Sequence, residues 1–169
     1  TDIVSDFGLM YKASLELVFG TRDYVNNVYF LTWAYQMGHV VYQALLLSII
    51  ESVTFLKIVN ALVTSLIVVF VYLLGREVGG EKGSRIASVL YPIFPFPLFL
   101  NTVLTNQHLP MLLILIAIYL GFRLNEKKLQ IPLCIGIGLL LSLSNILRTE
   151  TIVIIGAIVV LGGYLVFQK

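Results

Sequence analysis

Residues 86–122 read IASVLYPIFPFPLFLNTVLTNQHLPMLLILIAIYLGF, thirty-seven positions from Ile86 to Phe122 without an Asp, Glu, Lys or Arg. About 20 apolar residues cross the roughly 30 Å hydrocarbon core of a bilayer, so this stretch is too long for one crossing and fits two. Its polar break, Thr105-Asn106-Gln107-His108, falls near the middle and leads to Pro110, a residue tolerated in a first helical turn. Pro92, Pro95 and Pro97 each remove a backbone donor. The first of the two crossings is therefore predicted to be kinked or partly unwound, and to lean on its neighbours.

Charge-free stretches continue on both sides. Eighteen residues separate Lys57 from Arg76, nineteen run from Leu129 to Leu147, and eighteen from Thr151 to Gln168. The reading is an all-α polytopic membrane helix bundle with five spans, at about 57–75, 86–104, 109–123, 130–147 and 151–167. Composition agrees: 59% of the 169 residues are hydrophobic and 12% charged, with a mean hydropathy of +0.96. A soluble domain carries about 25% charged residues to wet its surface. The chain opens on Thr-Asp rather than Met, so a first spanning helix is expected upstream. A net charge of +2 without basic–aromatic clusters gives nucleic acid no footing. The lone Cys134 has no partner for an internal disulfide and belongs to no metal-type spacing.

Basic residues gather in cytoplasmic loops. Alternating the spans puts Arg76, Lys82, Arg85, Arg123, Lys127, Lys128 and Lys169 on one side, against Lys12, Arg22, Lys57 and Arg148 on the other. Acids run the opposite way, with Glu77, Glu81 and Glu126 against Asp2, Asp6, Glu16, Asp23, Glu51 and Glu150. The balance of +4 against −2 makes the 76–85 and 123–128 loops cytoplasmic and residues 1–56 an extracytoplasmic loop. In that loop, Ser5-Asp6 caps an amphipathic helix that Gly20 stops. A second apolar helix is expected from Trp33 to Ile50. Both are read as juxtamembrane helices, with Tyr24, Tyr29, Phe30, Trp33 and Tyr35 at headgroup depth.

Candidate chemistry collects on the outer face. Asp6 is either a helix cap or, stripped of hydration among apolar neighbours, a general base. Arg148 either snorkels to headgroups or clamps a phosphate with its planar fork, and Glu150 beside it is an ion-pair partner. Asn106, Gln107 and His108 form a polar turn that any outer loop needs, or hold a substrate. His39 and His108 with nearby carboxylates offer a divalent metal two nitrogens, though in no known ligand spacing. Lys57 lies at the outer mouth of its span, where snorkelling is the ordinary role.

Ser-Asp-Phe-Gly-Leu-Met-Tyr in the outer loop is followed by Trp33-Ala34-Tyr35-Gln36-Met37-Gly38 and Tyr42-Gln43-Ala44-Leu45-Leu46, then by Leu104-Thr105-Asn106-Gln107-His108 and Asn145-Ile146-Leu147-Arg148-Thr149-Glu150. Together these resemble bacterial GT-C glycosyltransferases of the protein O-mannosyltransferase and aminoarabinose-transferase type, from the first outer loop through the sixth span. The resemblance implies a plasma-membrane, multi-pass enzyme that moves a sugar from a polyprenyl-phosphate donor to an extracytoplasmic acceptor with inversion. It implies an acid near the acceptor, matched by Asp6, and an arginine at the lipid phosphate, matched by Arg148. Two departures accompany it. Phe7 follows Asp6 where the family often has a second acid, and Asn106 stands where an acid commonly opens the fourth span. A fragment of this extent is expected to be inactive alone. A non-catalytic membrane carrier or lipid-binding subunit is the rival reading, separated by its tolerance of Asp6→Asn.

Overall fold

The computed structural model describes residues 6–124 and 130–167. Ser5 of the expected cap, Asp2, Glu126, Lys127, Lys128 and Lys169 lie outside them. Helix α1 (Asp6–Phe19) opens on an acid, which favours the positive end of the helix dipole. It buries Met10, Ala13 and Ser14 on one stripe and ends at Gly20, whose φ of +77° suits a residue without Cβ. The segment after it is more broken than its apolar content suggests. A 3₁₀ turn (Asp23–Asn26) is followed by the short α2 (Val28–Thr32), a second 3₁₀ turn (Ala34–Gln36) and α3 (Met37–Leu47). The helix expected from Trp33 to Ile50 is thus shorter at both ends. Phe30 faces inward: it is buried with Met10, Ala13 and Val40, under the pairing of α1 with α3.

Helix α4 (Val53–Ile93) is capped by Ser52, whose hydroxyl accepts from Phe55 N. It is two arms, because Gly80 leaves helical geometry at φ +72°. Nine residues span about 13.5 Å of straight helix. Here Tyr72 reaches across nine to donate to Glu81 at 2.9 Å, and a Cβ on Gly75 would lie 3.1 Å from Ser84 Cα. The arms therefore fold back on each other. The proline-rich segment 86–104 is divided rather than bent. Pro95 forces the residue before it out of helical geometry, and Phe94 is extended (φ −62°, ψ 132°) between α4 and the new helix α5 (Pro95–Thr102). Thr64 donates to Asn101 at 2.8 Å and ties α5 to the first arm of α4.

Three helices complete the bundle: α6 (His108–Phe122), α7 (Gln130–Leu147) and α8 (Thr151–Phe167). Helix α6 packs along α7 and against α4, with Leu112 joining Val63 and Ile67 in a common core. Among the described residues there is no strand, and α4 and α7 are long and apolar enough to cross a membrane. Large apolar side chains such as Ile86, Ile93, Ile135 and Leu139 are left on the outside, as a lipid solvent allows. The chain is an all-α membrane helix bundle.

Candidate functional site

The turn between α5 and α6 carries the centre of the site. Asn106 is buried. Its Oδ1 accepts from Arg148 Nη1 at 3.1 Å, while its Nδ2 donates to Gln36 Oε1 at 2.6 Å. Arginine can only donate, so the amide has one workable orientation. Asn106 thereby links the segment before α3 to the end of α7.

Arg148 follows the last residue of α7 and is held from behind. Its backbone N–H bonds to Ser144 O at 2.8 Å, and its carbonyl accepts from Thr151 Oγ1 at 3.1 Å. Thr151 Oγ1 lies 2.8 Å from Ser144 Oγ, which in turn reaches Pro110 O at 3.1 Å. These fully buried hydroxyls fix the α7–α8 turn onto the first turn of α6. Helix α3 closes on the same point: a Cβ at Gly38 would come within 1.9 Å of Ile146 O. The guanidinium also pairs with Glu150, whose side chain is 72% exposed. Such an open pair is worth about 1 kcal/mol or less, so an anion of better geometry can take the place of Glu150.

On the Gln36 side lies a cavity of about 270 Å³ lined by Asp6, Tyr29, Trp33, Tyr35 and Gln36. Asp6 is exposed at the start of α1. The Tyr29 hydroxyl is buried and has no hydrogen-bond partner among the described residues. Burial, then the Asp6 charge and Tyr35, push its pKa up.

On the Arg148 side lie two cavities that share Gln107 and Met111. One, of about 400 Å³, holds Arg148, Glu150, Thr151 and Pro110. The other, of about 550 Å³, is walled by apolar residues of the divided segment, among them Tyr91, Phe94, Pro97 and Leu100, with His108 beside Gln107. His108 is buried, and its Nε2 has no partner among the described residues. The proline break therefore builds the wall of an apolar groove whose neighbour contains an arginine.

The structure brings together Asn106, Arg148 and Glu150 by direct bonds, with Gln107 and His108 on the adjoining walls. Among the described residues, Asp6 is connected to them through the cavity it shares with Gln36. Lys57 is not drawn in: half-buried in α4, it lines none of these three cavities and shares none of these hydrogen bonds. No group of three or more His, Cys, Asp or Glu suited to a metal assembles among the described residues. Sequence reading overlooked Gln36, Gly38, Ser144 and Thr151. A serine four residues before Arg148, inside an apolar span, was the available signal for Ser144.

Residues 37–169 match the family model of dolichyl-phosphate-mannose-protein mannosyltransferases. No curated protein and no solved structure matches the chain. The matched stretch contains Asn106, Arg148 and both apolar-side cavities, while Asp6, Tyr29, Trp33, Tyr35 and Gln36 precede it.

Proposed function

The chain belongs to the dolichyl-phosphate-mannose-protein mannosyltransferase family of membrane glycosyltransferases, and from that premise we propose that it transfers a sugar from a polyprenyl-phosphate carrier to an acceptor hydroxyl at the extracytoplasmic face of the plasma membrane. The observation that carries this reading is the line of hydrogen bonds Gln36–Asn106–Arg148, which joins an acid-bearing cavity to an arginine-bearing one.

In the proposed reaction the donor phosphate displaces Glu150 from Arg148, and the isoprenoid tail lies in the apolar groove beyond Gln107. Asp6 accepts the proton of the acceptor hydroxyl as its oxygen bonds to the anomeric carbon. The carbon–oxygen bond to phosphate breaks on the opposite face, through an oxocarbenium-like state, with inversion. Polyprenyl phosphate departs with the electron pair, and Arg148 meets the growing negative charge. A donor already aimed at developing charge lowers the barrier without having to reorganise.

The test uses the full-length protein in membranes with lipid-linked sugar donors. Asp6→Asn keeps the size but cannot take a proton, so transfer should fall by roughly 100-fold or more. Asn106→Ala should cost less, about 10-fold, by loosening the aim of Arg148. Intact transfer in Asp6→Asn with none in Asn106→Ala would put the base elsewhere. No transfer by the wild-type protein from any lipid-linked donor would leave a carrier as the better reading.

A further inference from the structure

The cavity beside Asp6 lies ahead of the matched residues 37–169, so the family match assigns nothing to it. Its walls are specific in chemistry. Trp33 and Tyr35 meet edge to face, their ring centroids 6.0 Å apart and their planes at 82°. Both stay open, 48% and 39% exposed, while the neighbouring Phe30 is buried. Asp6 can only accept a hydrogen bond when ionised. Gln36 has its oxygen occupied by Asn106, which leaves its NH₂ group to donate. The Tyr29 hydroxyl is buried without a partner among the described residues, a state that is unfavourable until something bonds to it. A volume of about 270 Å³ falls just under the roughly 300 Å³ at which sites for drug-sized ligands begin. That is room for one ring, while the longer apolar groove lies beyond Asn106.

We propose that this cavity binds a pyranose ring of the acceptor, so that the hydroxyl being glycosylated belongs to a carbohydrate and not to a peptide side chain. This rests on the transferase reading above. A sugar ring has an apolar C–H face and a rim of hydroxyls. The complementary surface is an aromatic ring flanked by a second one and edged by a carboxylate, an amide donor and a phenol, the set assembled here. A Ser or Thr side chain brings one hydroxyl on a flexible backbone and leaves the exposed Trp33 and Tyr35 uncovered. Placed against one of the two rings, with the other at its edge, the sugar turns its reacting hydroxyl to Asp6, which takes the proton. Its oxygen bonds to the donor's anomeric carbon as the phosphate leaves. Neighbouring hydroxyls engage Gln36 and satisfy Tyr29.

The experiment is saturation-transfer NMR on the full-length protein in lipid nanodiscs, with methyl hexopyranosides and N-acetylthreonine amide as probes. Saturation should reach the ring protons of at least one glycoside and not the threonine. Trp33→Ala should weaken that binding roughly tenfold, through loss of the aromatic face, while Trp33→Phe should retain most of it. If Trp33→Ala does not fold, Tyr35→Ala from the same wall replaces it. Saturation of the threonine probe alone overturns the proposal, as does glycoside binding indifferent to both aromatic truncations. A protein that binds glycosides through Trp33 yet uses no lipid-linked donor keeps the ring site and loses the transferase reading instead.

Discussion

The side chain on which the site turns is an amide. Asn106 stands where the family commonly has a second acid, and the structure gives it two partners. Its oxygen accepts from Arg148 while its NH₂ group donates to Gln36, so one neutral side chain serves both. Arg148 is thereby aimed by one Nη at Asn106, with the other on an exposed, replaceable Glu150. Lysine keeps the charge but presents a single point in place of two prongs. Arg148→Lys should therefore lower turnover about 10-fold or more, equivalent to about 1.4 kcal/mol. Lysine performing like arginine would reduce the residue to a headgroup anchor. His39 supports a different prediction. It is buried in α3 with neither ring nitrogen bonded among the described residues, and burial holds its pKa down to about 4. As pH falls below 6.5 the unfolded chain takes up the proton first, so stability declines between pH 6.5 and about 4. At pH 5 the loss should be roughly 2 kcal/mol. Thermal melts at pH 7 and 5 should show it in the wild type and much less of it in His39→Phe. An equal pH sensitivity in the variant would place the titrating group elsewhere.

Among the elements, the approach of α3 to the end of α7 decides where Arg148 points. An alanine methyl at Gly38 would sit 1.9 Å from a backbone oxygen at Ile146, two residues before Arg148, so one of the two helices must move. Overpacking of this kind costs about 1–3 kcal/mol. Gly38→Ala should lower the melting temperature and reduce transfer. Gly79→Ala, with nothing within 4 Å of the added methyl, should do neither. Equal effects of the two substitutions would remove the positioning role. Helical character was largely legible in the sequence, since charge-free runs and the Gly20 stop depend on composition and local geometry. The breaks were less so. Three prolines announced a distortion, but which peptide gives way depends on packing, and it is Phe94, just before Pro95, that turns extended. The 76–85 segment read as a loop, yet Glu77, Glu81, Lys82 and Arg85 are good helix formers, and helix persists on both sides of Gly80. For the site, Arg148 and Glu150 stood out as charges beside an apolar run. Gln36 did not, because an amide in a mixed segment gains its meaning only from a partner 70 residues away.

Across the whole molecule the polar groups divide between two ends. At one, Gln36, Asn106, Arg148 and the Asp6 cavity gather near the starts of α3 and α6. At the other, Arg123 after the last residue of α6 reaches Glu77 at 3.4 Å and Tyr119 at 2.9 Å, and the hairpin of α4 carries the Tyr72–Glu81–Arg85 contacts. Between them run the apolar core of Val63, Ile67 and Leu112 and the exposed aliphatic side chains that lipid would cover. This separation matches the division of charge in the sequence, where the end bearing Glu77, Arg85 and Arg123 is the basic one. Basic loops stay cytoplasmic, so the site end should face outward, where lipid-linked sugars would be consumed without a nucleotide donor. Single cysteines in a Cys134→Ser background test this in intact cells expressing the full-length protein. Exposed Asp23 and Glu51 mark the site end, and exposed Glu81 marks the hairpin. Cysteines at the first two should react with impermeant thiol reagents, and one at Glu81 should react only after the membrane is opened. The reverse pattern would turn the molecule over and put the Asp6 cavity in the cytoplasm. Labelling at all three positions in intact cells would mean that the two polar ends lie on one side, and that α4 folds back without crossing.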